Sequence, residues 1–305
     1  MAAKVEIVEV GPRDGLQSEP EIMPAAVKIE FIKRSLDAGI RHLEVASFVH
    51  PKLVPQMADA EEVLAGLPRD LGAVYIGLIL NWKGFERALA AGVDEVGMAV
   101  VASNTFNQRN QGVDTEVSIG VWDKVAAAAQ AEGLRSSVTI GAAFGCPFEG
   151  EVPVATVVDL AKRLAEANPA QLALADTIGV GVPDQVTELV SAVRDAVPHI
   201  PLRCHFHNTR NTGLANAQAA VKVGVASLDA STGGIGGCPF APAATGNIPT
   251  DDLVYMLNRS GVETGVDLEK VIENSHWLAE QLGRTVPAML PKAGMFPENV
   301  VQSAA

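Results

Sequence analysis

The segment PAAVKIEFIKRSLDAGIRHLEVA, residues 24–46, places an amphipathic helix directly before a short strand. Apolar residues recur at helical spacing over Pro24–Ala38, and the glycine that follows is the residue that most often ends a helix. Arg41–Ala46 then has the length of a strand. The same helix ending precedes two further apolar runs, at Ala91-Gly92 and Val223-Gly224. The segment therefore predicts one unit of a repeating helix-and-strand fold.

Short apolar runs alternate with helical stretches along the chain. We expect strands at Val5–Val10, Arg41–Ala46, Ala73–Leu80, Asp94–Val101, Ser137–Ala143, Gln171–Ala175, Leu202–His207 and Ser227–Ser231. Amphipathic helices lie between them, among them Pro24–Ala38, Glu116–Glu132, Val154–Ala167, Asp184–Val197 and Asn211–Val223. This order favours an α/β fold of the (β/α)8 TIM-barrel type. A doubly wound sheet is the alternative, and it is less favoured because no glycine-rich phosphate turn follows the first strand.

The length of 305 residues suits one large domain as well as two ordinary ones. No low-complexity linker divides the chain, so we expect a single domain over residues 1–305. Its barrel spans about residues 4–262, and additional C-terminal helices and a tail occupy about residues 263–305.

The composition excludes several classes of function. Hydrophobic residues make up 48% and charged residues 19%, so the chain can build a large core and is not disordered. The net charge of -13 argues against binding to nucleic acid or to an anionic membrane surface. An anionic small substrate remains compatible with it, because a metal and a few arginines can reverse the local field.

The cysteine count and the N-terminus indicate where the protein resides. Three widely spaced cysteines, Cys146, Cys204 and Cys238, fit reduced thiols better than a disulfide framework. The N-terminal MAAKVEIVEV lacks the features of a secretion signal, and no stretch reaches the roughly 18 apolar residues of a membrane helix. We therefore expect a cytoplasmic protein with no membrane partner.

Two histidines at the end of the seventh strand suggest a metal site. His205 and His207 are two residues apart, so they point to the same face of a strand. The chemistry of a TIM barrel lies at the C-terminal ends of its strands, where Asp14 follows the first strand. Asn247 offers a fourth, oxygen ligand. Such a mixed set suits Mg²⁺ or Mn²⁺, and zinc is the alternative.

Further polar residues follow the apolar runs at the same end of the barrel. Arg13 is either half of an exposed ion pair with Asp14 or a fixed cation for a developing oxyanion. Glu44 lies in an apolar strand, where it either pairs with Arg13 or takes part in proton transfer. Gln17 and Asp176 are candidate substrate-binding residues, and structural hydrogen bonding is the alternative for Asp176.

A glycine-rich loop follows the eighth strand. Gly233–Gly237 contains four glycines in five residues, and no Gly-Lys-Ser/Thr follows, so it is not a Walker loop. Cys238 at its end is either a buried apolar filler or a thiol that a closing loop brings to the barrel mouth.

Taken together, these motifs resemble the HMG-CoA lyase family of metal-dependent TIM-barrel lyases over about residues 4–270. The resemblance rests on VEIVEVGPRDGLQSEP at 5–20, SFVHPKLVPQMAD at 47–59, GCPFEG at 145–150, DTIGVG at 176–181, HFHNT at 205–209, GGIGGCPFAPAATGN at 233–247 and TDDLVYML at 250–257. The glycine-rich cysteine loop is the most specific of these, whereas the first motif marks the wider group of lyases and acyl-CoA condensing enzymes.

The resemblance implies a role for each matching residue. The metal ligands would be Asp14, His205, His207 and Asn247. Arg13 would stabilise a thioester enolate, Cys238 would be the catalytic cysteine, and Glu44 would be a further acidic residue of the site. The implied reaction cleaves 3-hydroxy-3-methylglutaryl-CoA to acetoacetate and acetyl-CoA, as in leucine degradation. We also expect a homo-oligomer, whose size the sequence does not give.

Two departures from the family pattern bear on the substrate. After His207 the family usually continues Asp-Thr-Tyr-Gly-Gln, whereas this chain reads Asn-Thr-Arg-Asn-Thr, which places Arg210 near the metal strand. Arg210 either pairs with a substrate carboxylate or turns outward and caps the barrel rim. Pro242-Ala243 replaces a usual glycine and would stiffen the loop. The alternatives are a lyase for citramalyl-CoA or a longer analogue, a condensing enzyme run in reverse, and a non-catalytic acyl-CoA-binding barrel.

Overall fold

The computed structural model describes residues 4–238 and 241–296. Within these ranges eight parallel strands close into a barrel in chain order, and the last strand pairs with the first. The strands are β1 (Glu6–Glu9), β2 (His42–Ser47), β3 (Val74–Ile79), β4 (Glu95–Val101), β5 (Arg135–Gly141), β6 (Gln171–Asp176), β7 (Leu202–Phe206) and β8 (Ser227–Ala230). The predicted (β/α)8 barrel is therefore confirmed. Both ends of every predicted strand lie within two residues of the observed ends.

Helices lie outside the strands and connect them. They are α1 (Ala25–Asp37), α2 (Ala60–Ala65), α3 (Trp82–Ala91), α4 (Asn104–Gln111), α5 (Thr115–Ala131), α6 (Val154–Ala165), α7 (Pro183–Ala196), α8 (Gly213–Lys222), α9 (Thr250–Arg259), α10 (Leu268–Leu282) and α11 (Leu290–Ala293). The additional C-terminal helices are thus confirmed, with α10 packed against α1. The predicted tail beyond residue 296 lies outside the described residues. None of the described helices has both the length and the apolar character that crossing a bilayer requires.

Two irregular segments follow barrel strands. A single π-helical turn, Gly11–Gly15, comes directly after β1. After β8, the short strand β9 (Gly237–Cys238) pairs antiparallel with β10 (Ala241–Thr245), and this hairpin leads into α9. Both segments lie at the C-terminal ends of the strands, which is where the active site of a TIM barrel is built.

The glycine that ends α1 shows why the helix stops there. Gly39 has a φ of 92°, a left-handed conformation that side chains disfavour. A Cβ at this position would also lie 2.7 Å from the carbonyl oxygen of Gly265. Glycine is therefore required by the backbone and by close packing, as its position before β2 predicted.

The main apolar core lies between the barrel and its helices. Fully buried side chains such as Trp122 on α5 and Phe206 on β7 belong to it, and Trp122 donates its indole N–H to the Leu164 carbonyl at 3.0 Å. A separate small cluster contains Val8, Val10 and Ile76 from β1, its C-terminal end and β3. The strands thus present most of their large apolar side chains to the helices.

A buried carboxylate joins β1 to the segments that follow β8. Glu9 has no exposed surface, and it accepts hydrogen bonds from the backbone N–H groups of Gly11 at 2.8 Å and Thr232 at 2.9 Å. The hydroxyls of Thr232 and Thr250 donate to it at 2.6 and 2.9 Å. Burial raises the pKa of Glu9 to about 7, although these hydrogen bonds act in the opposite direction.

The raised pKa predicts a pH dependence of stability that Glu9→Gln removes. The fold favours the protonated acid, so Glu9 contributes stability below its ordinary pKa of 4.5 and loses this contribution as pH rises through about 7. Glutamine cannot ionise, and its added N–H₂ group imposes a cost that is the same at every pH. The free energy of unfolding should therefore fall less between pH 5 and pH 8 in the variant, by up to about 3 kcal/mol.

Urea unfolding at several pH values measures this difference. Glu132→Gln, at the exposed end of α5, is the control and should keep the wild-type profile. Parallel pH profiles for wild type and Glu9→Gln would contradict the prediction.

Candidate metal centre

Barrel closure brings together three residues that are far apart in the sequence. Asp14 lies in the π-helical turn after β1, and His205 and His207 lie in and just after β7. Strand β8 pairs with both β1 and β7, so the ends of these strands converge. The predicted grouping of Asp14 with the two histidines is what the structure shows.

The ligand atoms of the three residues face one another. The Asp14 Oδ2 atom lies 4.0 Å from His205 Nε2 and 3.8 Å from His207 Nε2. One ligand atom from each residue lies within 4.8 Å of the others, which is close enough for the three to share one ion. Their side chains are 21%, 12% and 7% exposed, so the cluster is accessible from the barrel mouth but largely shielded.

The charges around Asp14 favour a carboxylate there. Burial alone would raise its pKa, but the Arg13 guanidinium and the imidazoles of His205 and His207 hold the pKa of Asp14 well below its usual range. The residue is therefore an anionic oxygen donor, which is the form that a divalent cation binds.

A second carboxylate orients His205. Asp229 Oδ2 on β8 lies 3.1 Å from His205 Nδ1, so the imidazole donates from Nδ1 and directs Nε2 toward Asp14. Burial lowers the pKa of His205, but the hydrogen bond and the charge of Asp229 outweigh it and raise that pKa. Metal-binding histidines usually donate their second ring N–H to a carboxylate or carbonyl in this way.

Asn247 supplies the observation that tests whether the site fits a metal. It pairs with His207 in an antiparallel bridge, so the two side chains emerge on the same side. Its amide Nδ2 donates to the Ile235 carbonyl at 3.2 Å, whereas its buried Oδ1 has no hydrogen-bond partner among the described residues. A buried oxygen without a hydrogen-bond partner, on the residue that pairs with His207, fits a hard or borderline divalent cation.

Arg13 and Glu44 form an ion pair at the edge of this cluster. The Nε and Nη2 atoms of Arg13 both contact Glu44 Oε1, and its Nη1 lies 2.5 Å from Asp14 Oδ1. Glu44 is buried on β2, so the arginine is held from two directions. The contact that the sequence offered as one reading of Glu44 is thus present.

Asp176 and Gln17 differ in their surroundings. Asp176 at the end of β6 accepts hydrogen bonds from the backbone N–H groups of Val180 and Gly181, both at 2.9 Å. Burial raises the pKa of Asp176 despite these bonds. The Oε1 atom of Gln17 is buried and has no hydrogen-bond partner within the described ranges. The substrate-binding roles of both residues stay predictions.

Arg210 lies at the exposed rim of the barrel. Its Nη1 donates to the carbonyl oxygens of Ile178 at 2.9 Å and Gly179 at 3.0 Å, in the loop after β6. These contacts correspond to the rim-capping alternative, and the guanidinium retains further donors. Its role in reading the substrate stays a prediction.

The backbone of the glycine-rich loop packs closely against the side chain of Asn247. Gly236 has a φ of 113°, and a Cβ there would lie 2.7 Å from Asn247 Nδ2. The backbone of Cys238 lies in β9, but its side chain is outside the described part of the molecule, as are the side chains of Pro242 and Ala243.

The sequence left three residues around the site without a role: Glu9, Arg203 and Asp229. Each is a buried charged residue flanked by apolar residues in a strand, and this was the signal that could have identified them. Arg203 and Asp229 lie beside His205 in the structure, whereas Glu9 holds the start of the glycine-rich loop.

A parallel barrel with a carboxylate, two imidazoles and an amide oxygen at the strand ends defines a TIM-barrel protein with a candidate metal centre. The HMGL-like family model matches residues 4–277. Two curated relatives are an (R)-citramalyl-CoA lyase of Chloroflexus aurantiacus and the mitochondrial hydroxymethylglutaryl-CoA lyase of Rattus norvegicus. The first is 43% identical over 98% of each chain, and the second is 42% identical over 95% of this chain and 89% of its own.

A solved structure agrees with this assignment. The HMG-CoA lyase of Acinetobacter baumannii, in complex with coenzyme A and 3-methylmalate, is 39% identical with a TM-score of 0.92 over 97% of each chain. This chain belongs to the HMGL-like family. The family predicted from the sequence is thereby confirmed, and with it the class of enzyme, a carbon–carbon lyase.

The cluster predicts that His207→Ala greatly weakens divalent-ion binding while the fold is retained. His207 is one of three facing ligands, so we expect at least about a 100-fold loss, above the 10–100-fold that removal of an outer-shell partner costs. Calorimetric titration with Mn²⁺ measures this affinity. His199→Ala, an exposed histidine after α7, is the matched control and should bind Mn²⁺ as wild type does. Wild-type affinity in His207→Ala would refute the assignment.

Proposed function

We propose that this protein cleaves the bond between C2 and C3 of a 3-hydroxy acyl-CoA that carries a distal carboxylate, in a reaction that depends on a divalent metal. The preferred substrate is (S)-3-hydroxy-3-methylglutaryl-CoA, and the products are acetoacetate and acetyl-CoA. The observation that carries this proposal is the convergence of Asp14, His205, His207 and Asn247 beside Arg13, in a chain of the HMGL-like family.

Asp14, His205, His207 and Asn247 would hold the ion, and Mg²⁺ or Mn²⁺ suits this oxygen and nitrogen set. A divalent ion bound there supplies Lewis acidity, which lowers the pKa of a contacting hydroxyl as it lowers that of water, from 15.7 to about 7 in the strongest cases.

The proposed cleavage removes one proton from the substrate, breaks the C2–C3 bond and adds one proton to the leaving fragment. A base takes the proton of the substrate 3-hydroxyl, the hydroxyl oxygen becomes the carbonyl of the ketone, and the electrons of the C2–C3 bond move into the thioester. The leaving fragment is therefore a thioester enolate, whose negative charge develops only as the bond breaks. The Cys238 thiol then supplies the proton that converts the enolate to acetyl-CoA, and the proton taken from the hydroxyl restores the thiol for the next turnover.

Arg13 is suited to stabilise that enolate. A guanidinium has five N–H donors, and the contacts to Glu44 and Asp14 engage three of its nitrogens while leaving N–H groups for a substrate oxygen. Glu44 and Asp14 hold the group in place before the charge appears, so it needs no reorganisation in the transition state.

A second candidate substrate is (R)-citramalyl-CoA, because a relative of that name is 43% identical over nearly the whole chain. Cleavage of the same bond in it releases acetyl-CoA and a shorter oxo acid. Arg210 would contribute to the choice between the two if its remaining donors meet the substrate carboxylate. The cytoplasmic location, the homo-oligomer and the place in leucine degradation stay predictions.

Product identification with a panel of thioesters tests the proposed function. The metal-loaded enzyme is given HMG-CoA, citramalyl-CoA of both configurations and a longer 3-hydroxy-3-methyl analogue, and the products are separated by mass. We expect metal-dependent release of acetyl-CoA, with HMG-CoA the fastest substrate. A faster reaction with citramalyl-CoA would establish the second candidate. Failure to release acetyl-CoA from every thioester, by an enzyme that binds Mn²⁺, would leave an acyl-CoA-binding barrel.

Loss of Arg13 should affect turnover more than binding. Arg13 acts on charge that appears only in the transition state, so Arg13→Met should lower kcat by roughly 100-fold or more with a small change in KM. Steady-state kinetics give both constants, and Mn²⁺ titration verifies that the neighbouring Asp14 still binds the ion. Arg163→Met, on the outer helix α6, is the control and should leave kcat unchanged. A defect mainly in KM would mean that Arg13 only binds substrate.

A further inference from the structure

A buried arginine lies inside the barrel directly below the candidate metal site formed by Asp14, His205 and His207. Arg203 is two residues before His205 on β7, so the two side chains point to the same, inner face of the barrel. Only 2% of Arg203 is exposed. Barrel interiors are usually filled by branched apolar side chains, and a buried charge needs a partner. Its position therefore requires an explanation that packing does not give.

Arg203 and His205 share one carboxylate. The Arg203 Nε atom lies 3.4 Å from Asp229 Oδ1, an ion pair rather than a hydrogen bond, and Asp229 Oδ2 lies 3.1 Å from His205 Nδ1. His205 and Asp229 are direct register partners on β7 and β8. Each oxygen of the carboxylate thus faces a different cationic or donor group, and the two contacts together define the plane of the carboxylate.

The other buried acids near Arg203, Glu95 and Glu44, have their own partners, and the partner of Glu44 is Arg13. Glu95 on β4 lies 2.9 Å from Arg135 Nε and 3.3 Å from His42 Nε2. Asp229, in contrast, has Arg203 and His205 as its ion-pair partners among the described residues. Asp229 is therefore the acid whose placement depends on Arg203.

We propose that Arg203 is a positioning residue of the metal centre, which holds the Asp229 carboxylate in the orientation that fixes the His205 ring. Asp229 accepts the Nδ1–H of His205, and this leaves Nε2 directed at Asp14 Oδ2, 4.0 Å away. Without the guanidinium the carboxylate loses one of its two anchors and can rotate about its side chain. The imidazole then loses a fixed ring orientation. This inference rests on the proposed metal dependence of the enzyme.

A double-mutant cycle on metal affinity tests the inference. The variants are Arg203→Met, Asp229→Asn and the double variant, each titrated with Mn²⁺ by electron paramagnetic resonance of the free ion. Each single change should weaken binding by about 10–100-fold, the cost of losing an outer-shell partner. Because Arg203 acts through Asp229, the double variant should bind no more weakly than Asp229→Asn alone. Arg203→Lys should recover part of the affinity, and it also serves if Arg203→Met does not fold.

A matched control lies at the other end of the interior. Arg135→Met removes an arginine that pairs with Glu95 and is 49% exposed at the start of β5, so Mn²⁺ affinity should stay at the wild-type value. The ring ¹⁵N shifts of His205 in the metal-free protein give a second readout. They should show a proton fixed on Nδ1 in wild type and Arg135→Met, and a mixture of tautomers in Arg203→Met.

Three results distinguish this inference from the proposed function. Wild-type Mn²⁺ affinity and an unchanged His205 tautomer in folded Arg203→Met would overturn the role of Arg203. Losses that add in the double variant would also overturn it, because they would mean that Arg203 acts independently of Asp229. Absence of Mn²⁺ binding by the wild type would instead refute the metal dependence itself.

Discussion

The pairing of β1 with β8 is the contact on which the site depends. It closes the barrel in register from Glu6 to Glu9, and it places the turn after β1 beside the ends of β7 and β8. Asp14 meets His205 and His207 only because of this closure, since nearly two hundred positions of chain separate them. The geometry of the metal cluster is therefore a property of the whole barrel. A substitution that weakens the pairing of β1 with β8 would therefore displace Asp14 without altering Asp14 itself.

The interior of the barrel carries opposite charges in contact with one another. Arg13 lies between Glu44 and Asp14 at the mouth, and Arg203 meets Asp229 further in. Each of these cations is held by more than one acid or by a bridging acid, which offsets part of the cost of burying it. The protein has an overall charge of -13, yet the barrel mouth presents the Arg13 guanidinium and three residues that could hold a divalent cation. This local field, and not the net charge, is what an anionic thioester would meet.

The sequence predicted the parts of the structure that depend on periodicity. The spacing of His205 and His207 was enough to place both on one face, because side chains alternate along a strand. Periodicity along the chain did not predict the partners of Glu9. The hydroxyls that donate to Glu9 come from Thr232 and Thr250, more than two hundred residues away. The polar helix Asn104–Gln111 was also missed, because it has no apolar stripe to reveal it. For Arg210 the sequence offered a substrate contact or a rim cap, and only coordinates could show its bonds to two backbone carbonyls.

The side chain of Asn247 contacts the backbone of the glycine-rich loop that follows β8. Gly236 approaches the side-chain amide of Asn247 so closely that a methyl group there would lie 2.7 Å from Nδ2. The same amide donates to the Ile235 carbonyl, one residue before Gly236. A displacement of Ile235 or Gly236 would therefore alter the contacts that hold the Asn247 side chain. Because β9 continues directly from Gly237 to Cys238, the backbone of the cysteine and the contacts of the Asn247 amide are linked by three consecutive peptide units. In the proposed reaction, one displacement of this loop would therefore act on proton delivery and on metal coordination together.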